Sequence, residues 1–144
     1  MATVSYYADD VKAARDWYAE FLGVEAYFAL PSQEEPSYVE FRIGDFQAEL
    51  GIINAKFAPH RVDGGPAGAI LNWHVDDLEG TLARLVELGA TVNEGVVDHG
   101  DSGFRTASVV DPFGNLLGIM NNPHYLEIVE STVPKVGARG DRGV

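Results

Sequence analysis

The chain contains the same pattern of predicted elements twice, and this repeat limits the folds that are open to it. Each copy has a short β-prone run, a helix-period stripe of apolar residues and three further β-prone runs. Acidic pairs that end at Asp10 and Asp77 precede the two stripes, and Gly23 and Gly89 follow them at nearly the same separation. A glycine directly after a helix takes the left-handed conformation that ends it. The repeat therefore predicts an α+β chain of two βαβββ modules.

The apolar stripes predict which face each helix buries. The stripe is Val11, Ala14, Tyr18, Phe21 and Leu22 in the first helix, and Leu78, Leu82, Leu85 and Leu88 in the second. We expect Asp76 to cap the second helix, in a capping box with Glu79. Two modules with their helices on the outer face would form a curved mixed sheet, whose concave side stays free for a ligand.

The predicted elements divide the chain into four parts. Residues 1–54 form the first module and residues 69–121 the second. Residues 55–68 between them contain several prolines and glycines, which is typical of a linker. Residues 122–144 are a C-terminal extension, and we expect a disordered tail from about residue 132.

The acidic composition narrows the range of partners. The chain has 22 acidic and 10 basic residues, which gives a formal net charge of −12. Such a surface repels phosphate backbones and anionic lipids, so we expect no nucleic acid and no membrane as partner. It favours a neutral or cationic ligand, and it also promotes solubility. With no cysteine and no recognisable secretory signal, the chain is predicted to be cytoplasmic.

Several short motifs occur in an order that is known from one superfamily. They are Asp9-Asp10-Val11, Trp17-Tyr18 and Phe21-Leu22-Gly23 in the first module, and Val75-Asp76-Asp77-Leu78, Leu88-Gly89-Ala90 and Asp111-Pro112-Phe113-Gly114-Asn115 in the second. Together they resemble the vicinal oxygen chelate superfamily, the group of glyoxalase I, bleomycin-resistance proteins and extradiol dioxygenases. The resemblance covers about residues 2–121. It implies paired βαβββ modules, a cleft for a small molecule and a homodimer.

The same resemblance implies four positions for metal ligands, one each on the first and last strand of both modules. Counting from the motifs places Thr3, Glu49, Ile70 and Gly118 at these positions. Only Glu49 has a side chain that binds a divalent metal, whereas hard-metal chemistry needs about three protein ligands. We therefore expect no cofactor. The alternative is a divalent metal held by Glu49 together with His74.

Residues that alternate with the predicted core positions supply the candidate site. Glu49 is the candidate catalytic residue, and two interpretations of it stay open. It could act on the concave face as a general base or bind a ligand cation there, or it could simply pair with Arg42 or another basic group or lie near the rim in water. Trp73 alternates with His74 and should pack beneath the helices. The candidate ligand-binding residues on the concave side are Tyr7, Tyr38, Glu40, Arg42, Asn72, His74 and Met120.

Two functions follow from these features. The first is metal-independent binding or sequestration of a small molecule by a glyoxalase/bleomycin-resistance-like homodimer. The alternative is a lyase, isomerase or dioxygenase-type enzyme of the same superfamily that uses Glu49, with or without a divalent metal. A purely structural role has no sequence feature in its favour.

Overall fold

A computed structural model describes residues 3–44, 46–58, 65 and 69–132. The expected disorder of the tail after Thr132, and most of the predicted linker, lie outside these residues. The elements before the linker are β1 (Thr3–Ala8), α1 (Val11–Leu22), β2 (Phe28–Leu30), β3 (Tyr38–Ile43) and β4 (Ala48–Asn54), followed by a 3₁₀ turn at Ala55–Phe57. The elements after it are β5 (Leu71–His74), α2 (Leu78–Glu87), β6 (Thr91–Asp98), β7 (Arg105–Val110), β8 (Leu116–Asn121) and α3 (Pro123–Thr132).

The strands form two four-stranded sheets with the same internal order. The first sheet has the order β1-β4-β3-β2, and the second has the order β5-β8-β7-β6. In each sheet the first strand runs parallel to the last, and the other neighbours are antiparallel. Helix α1 packs on β1, β3 and β4, and α2 packs on β6, β7 and β8. The predicted α+β fold with two βαβββ modules is thus confirmed, as two open mixed sheets.

An aspartate caps each of the first two helices. Asp10 accepts a hydrogen bond from the amide N–H of Ala13 (2.9 Å). In the second helix the cap is Asp77, which accepts from the amide of Gly80 (2.9 Å), and the expectation for Asp76 is wrong. Asp77 directly precedes the helix, and its carboxylate occupies the space where a Cβ on residue 80 would lie, only 2.2 Å from Asp77 Oδ2. A glycine at that position therefore leaves room for the Asp77 cap.

The hydrophobic core lies between each helix and one side of its sheet. Apolar residues alternate along the strands, as expected for sheets with one covered face. The core includes Tyr6, Val39, Phe41, Leu50 and Ile52 in the first sheet, Ala107, Val109, Leu117 and Ile119 in the second, and Tyr18 and Leu85 in the helices. Trp73 is half-buried and packs against this core, as predicted.

The turn between β7 and β8 in the second module makes hydrogen bonds to the first module. The buried Asp111 carboxylate accepts the backbone N–H groups of Phe113 and Asn115 and the hydroxyl of Tyr18 in α1 (2.6 Å). The side-chain amide of Asn115 bonds both the N–H (3.2 Å) and the carbonyl (2.9 Å) of Tyr7 in β1. Trp17 of α1 donates its indole N–H to the carbonyl of Leu88 (2.8 Å). These contacts link α1 and β1 to the second module.

Within the residues that the structure describes, no helix combines the length and the apolar character that crossing a membrane requires.

Candidate functional site

The side of the first sheet that faces away from α1 collects most of the predicted site residues; we call it the first open face. Strand pairing aligns its side chains in three rows across the sheet. The rows are Thr3, Glu49 and Arg42; Ser5, Gly51, Glu40 and Phe28; and Tyr7, Ile53, Tyr38 and Leu30. The alternation of β-strands places them together because the intervening residues belong to the core.

Glu49 forms an ion pair on this face. Its Oε2 lies 2.6 Å from Nη2 of Arg42, which stands directly across from it on β3. Its other oxygen, Oε1, accepts the hydroxyl of Thr3 on β1. The Glu49 side chain is only 13% exposed, against 39% for Arg42. Of the two interpretations of Glu49, the structure therefore contains the ion pair.

Glu40 lies two residues from Arg42 on the same strand and is held by two tyrosines. The hydroxyls of Tyr27 and Tyr38 both donate to its carboxylate. These hydrogen bonds, that of Tyr27 first, lower the pKa of Glu40. Burial, followed by the bond to Glu40, raises the pKa of Tyr38. Glu40 is therefore held as an oriented anion.

Tyr27 belongs to this cluster although the sequence did not identify it. Its amide N–H bonds the Glu40 carbonyl (3.0 Å), which fixes the residue at the start of β2. The guanidinium of Arg42 lies over its ring, 5.5 Å from the centroid, and donates to its hydroxyl (3.3 Å). The pairing of β2 with β3 brings Tyr27 next to Glu40 and Arg42. No local sequence pattern reports it.

Three aromatic residues are neighbours of Glu40 on the first open face. The ring of Phe28, directly across from Glu40 on β2, lies 6.2 Å from that of Tyr27 and 6.4 Å from that of Tyr38. A Cβ at Gly51 would lie 3.2 Å from the Tyr38 ring, so a glycine at this position leaves space for the ring. Phe28 and Tyr27 are exposed. The face thus combines charge with accessible apolar surface.

Asn72, His74 and Met120 lie on the other sheet, on the side away from α2. His74 and Met120 are neighbours across β5 and β8, and Asn72 stands beside Gly118. The imidazole of His74 stacks on the ring of Tyr125 in α3, with the centroids 5.6 Å apart. Its Nε2 is buried without a hydrogen-bond partner in the described part of the chain. The predicted residues are therefore divided between two sheets.

The four positions expected for metal ligands do not fit a metal. Thr3 bonds Glu49, and Glu49 is paired with Arg42. Gly118 is paired with Asn72 on β5, and a Cβ there would lie 2.1 Å from the Asn72 side-chain oxygen and 3.0 Å from Ile70 Cδ1. Across residues 3–44, 46–58, 65 and 69–132, no three His, Asp or Glu side chains are grouped to hold a metal ion.

Solved structures share this fold at low sequence identity. A glyoxalase-related enzyme from Fulvimarina pelagi superposes with a TM-score of 0.65 at 20% identity, over 85% of this chain and 88% of that one. A superfamily member from Sphaerobacter thermophilus gives 0.63 at 21% identity, over 85% and 96%. A glyoxalase/bleomycin resistance protein from Catenulispora acidiphila gives 0.57 at 21% identity, over 84% and 96%.

A search of curated protein sequences found no match. In contrast, a sequence model of one family matches residues 1–119, most of the chain. The motifs, the paired modules and the structural neighbours agree with this match. The chain therefore belongs to the Glyoxalase/Bleomycin resistance protein/Dioxygenase superfamily.

Proposed function

We propose that this protein binds a small molecule on the first open face, without a metal and without chemical conversion. One observation carries the proposal. Glu49 is the only residue at an expected metal position whose side chain could bind a metal, and both of its oxygens already have partners in Arg42 and Thr3. A carboxylate engaged in this way stabilises the face and has no oxygen without a partner to offer to a metal.

The composition of the face supports binding. Small-molecule sites combine apolar and aromatic surface with a few polar groups that orient the ligand. Here Phe28 and Leu30 supply exposed apolar area, and Glu40 supplies an oriented charge. The hydrogen bonds of Tyr27 and Tyr38 hold Glu40 before any ligand arrives, which reduces the ordering cost of binding.

The alternative is a lyase, isomerase or dioxygenase-type reaction that uses Glu49. A general base must accept a proton from the substrate within hydrogen-bond distance. Glu49 would first have to leave Arg42, which lies 2.6 Å away, and Thr3. A dioxygenase-type reaction would further need metal ligands beyond Glu49. The binding function requires neither change.

Elemental analysis after incubation with Mn²⁺, Fe²⁺, Ni²⁺ or Zn²⁺ and exhaustive dialysis tests the absence of a metal. We expect far less than one equivalent of each ion in the wild type. Glu49→Gln and, as a matched carboxylate control on β6, Glu94→Gln are analysed in parallel. One bound equivalent that disappears in E49Q and stays in E94Q would contradict the proposal.

A thermal-shift screen of small molecules tests binding itself. A ligand at 100 times its Kd raises the free energy of unfolding by about 2.7 kcal/mol, which is easily detected. We expect Tyr38→Ala to weaken the hits and Asn72→Ala, on the other sheet, to leave them unchanged. Hits that respond only to N72A would move the site to the second sheet. NMR detection of product formation that is lost in E49Q would establish the enzymatic alternative.

A further inference from the structure

We propose that the ligand of the first open face is an organic cation, an ammonium group on an apolar frame. Glu40 would serve as its counter-ion, and the rings of Tyr27, Phe28 and Tyr38 would contact its apolar and cationic parts. This inference rests on the proposed function, because it uses the same face. It adds the chemical class of the ligand.

The charges on the face favour a cation. Glu40 and Glu49 carry two negative charges there, against one positive charge on Arg42. Arg42 forms its ion pair with Glu49, at 2.6 Å, and its charge acts on Glu40 only from beyond ion-pair distance. In the described part of the chain, no Lys, Arg or His lies within ion-pair distance of Glu40. Both oxygens of Glu40 accept from neutral tyrosine hydroxyls, so its charge has no ion-pair partner and an incoming ammonium group would supply one.

The direction of the hydrogen bonds around Glu40 also favours a cation. Tyr27 and Tyr38 donate their hydroxyl protons to the Glu40 carboxylate, so toward any further group their oxygens can only accept. Tyr27 already accepts from Arg42 in this way, at 3.3 Å. The cluster therefore presents mainly acceptors, which suits a cation and disfavours an anion.

The rings supply the second contact that an organic cation needs. A cation within about 6 Å of an aromatic centroid is attracted by the negative face of the ring. The chain shows this contact itself, since the Arg42 guanidinium lies 5.5 Å from the Tyr27 centroid. The exposed Phe28 ring stands directly across from Glu40. A substituted ammonium could therefore meet a carboxylate and an aromatic ring at once.

The test compares choline with 3,3-dimethylbutan-1-ol, its neutral isostere with carbon in place of nitrogen. Each is titrated into ¹⁵N-labelled protein at low salt and followed by NMR. We expect choline to shift the amide signals of β2 and β3, and to bind about tenfold more tightly than the alcohol, a difference of about 1.4 kcal/mol. If the two compounds bind at these strands with equal affinity, the proposed preference for a cation is wrong, whereas the proposed small-molecule site is kept.

Variants separate charge from shape. Glu40→Gln keeps the size of the side chain and removes the charge, and we expect about a tenfold weaker affinity for choline. Glu79→Gln, on an exposed carboxylate that pairs with Arg105 in the other module, serves as the control and should bind as the wild type does. Phe28→Ala removes a ring and no charge, and it is the second variant if E40Q fails to fold. We expect it to lower the affinity for choline as well. Wild-type affinity in the folded variants would refute the assignment.

Discussion

Asp111 shows how one residue connects the modules. It is almost fully buried, at 3% exposure, and its carboxylate accepts two backbone amides of its own turn and the hydroxyl of Tyr18. Burying a carboxylate is tolerated only where hydrogen bonds replace water. The same network raises the pKa of Tyr18, with burial as the larger cause and the charge of Asp111 next. Tyr18 thus remains a donor.

Removing the Tyr18 hydroxyl should be costly. Tyr18→Phe keeps the ring in the core and removes one donor to a buried charge, so we expect a loss of about 1.5–3 kcal/mol in the free energy of unfolding. Urea denaturation measures it. Tyr125→Phe, on the exposed ring of α3, is the control and should change stability by about 0.5 kcal/mol or less. Equal effects in the two variants would show that the bond to Asp111 contributes nothing.

The lowered pKa of Glu40 predicts how the stability of the fold depends on pH. Because its pKa in the folded protein lies below the ordinary value of 4.5, the bonds from Tyr27 and Tyr38 stabilise the fold above that value. That contribution is lost as the pH falls through the lowered pKa. We expect wild type to have a higher melting temperature than E40Q at pH 7, with a gap that closes below about pH 4. A gap that widens toward acid would contradict the assigned direction.

At the scale of elements, the caps give a matched pair of variants. Asp77→Ala removes the acceptor for the Gly80 amide and should lower the free energy of unfolding by about 0.5–2 kcal/mol. Asp76→Ala changes the neighbouring exposed carboxylate and should cost about 0.5 kcal/mol or less. Chemical denaturation compares the two. A larger loss in D76A would restore the cap expected from the sequence.

The elements themselves were predictable because their signals are local. Apolar periodicity and the glycines that follow the stripes gave both modules, and alternation placed Glu40 and Arg42 on one face. The cap was not decided by pattern, since Asp76 and Asp77 both precede the helix. The hydrogen bond from the Gly80 amide identifies Asp77 as the cap.

The candidate site was only partly predictable because it depends on pairing between distant strands. Tyr27 reaches Glu40 through the pairing of β2 with β3. The assignment of Asn72, His74 and Met120 to the second sheet also follows from pairing. Alternation along a strand identifies a face, but it does not report which partner strand lies beside it.

For the whole molecule, we expect a homodimer. Helix α3 has no buried residue in this single chain, and Tyr125, Leu126 and Ile128 on it are exposed. Apolar side chains grouped in this way are typical of surfaces that contact a partner. Sedimentation analysis should give about twice the 15.6 kDa mass of the chain.

A charge on α3 tests whether this helix is part of the contact. Leu126→Asp should shift the protein toward the monomer. Val86→Asp, at a similarly exposed apolar position on α2, should not. A wild-type protein that sediments as a monomer throughout the micromolar range would refute the dimer. A dimer that L126D leaves intact would place the contact elsewhere.

The bond between Asn115 and Tyr7 has a consequence for the order in which the protein is made. Strand β1 is one of the two edge strands of the first sheet, and the side-chain amide of Asn115 bonds its backbone N–H and carbonyl at Tyr7. On the ribosome Tyr7 emerges 108 residues before Asn115. Until Asn115 has been synthesised, this part of β1 is an uncovered edge strand, and such strands can pair with strands of other chains. The turn between β7 and β8 can therefore cover this part of β1 only after nearly all of both modules has been synthesised.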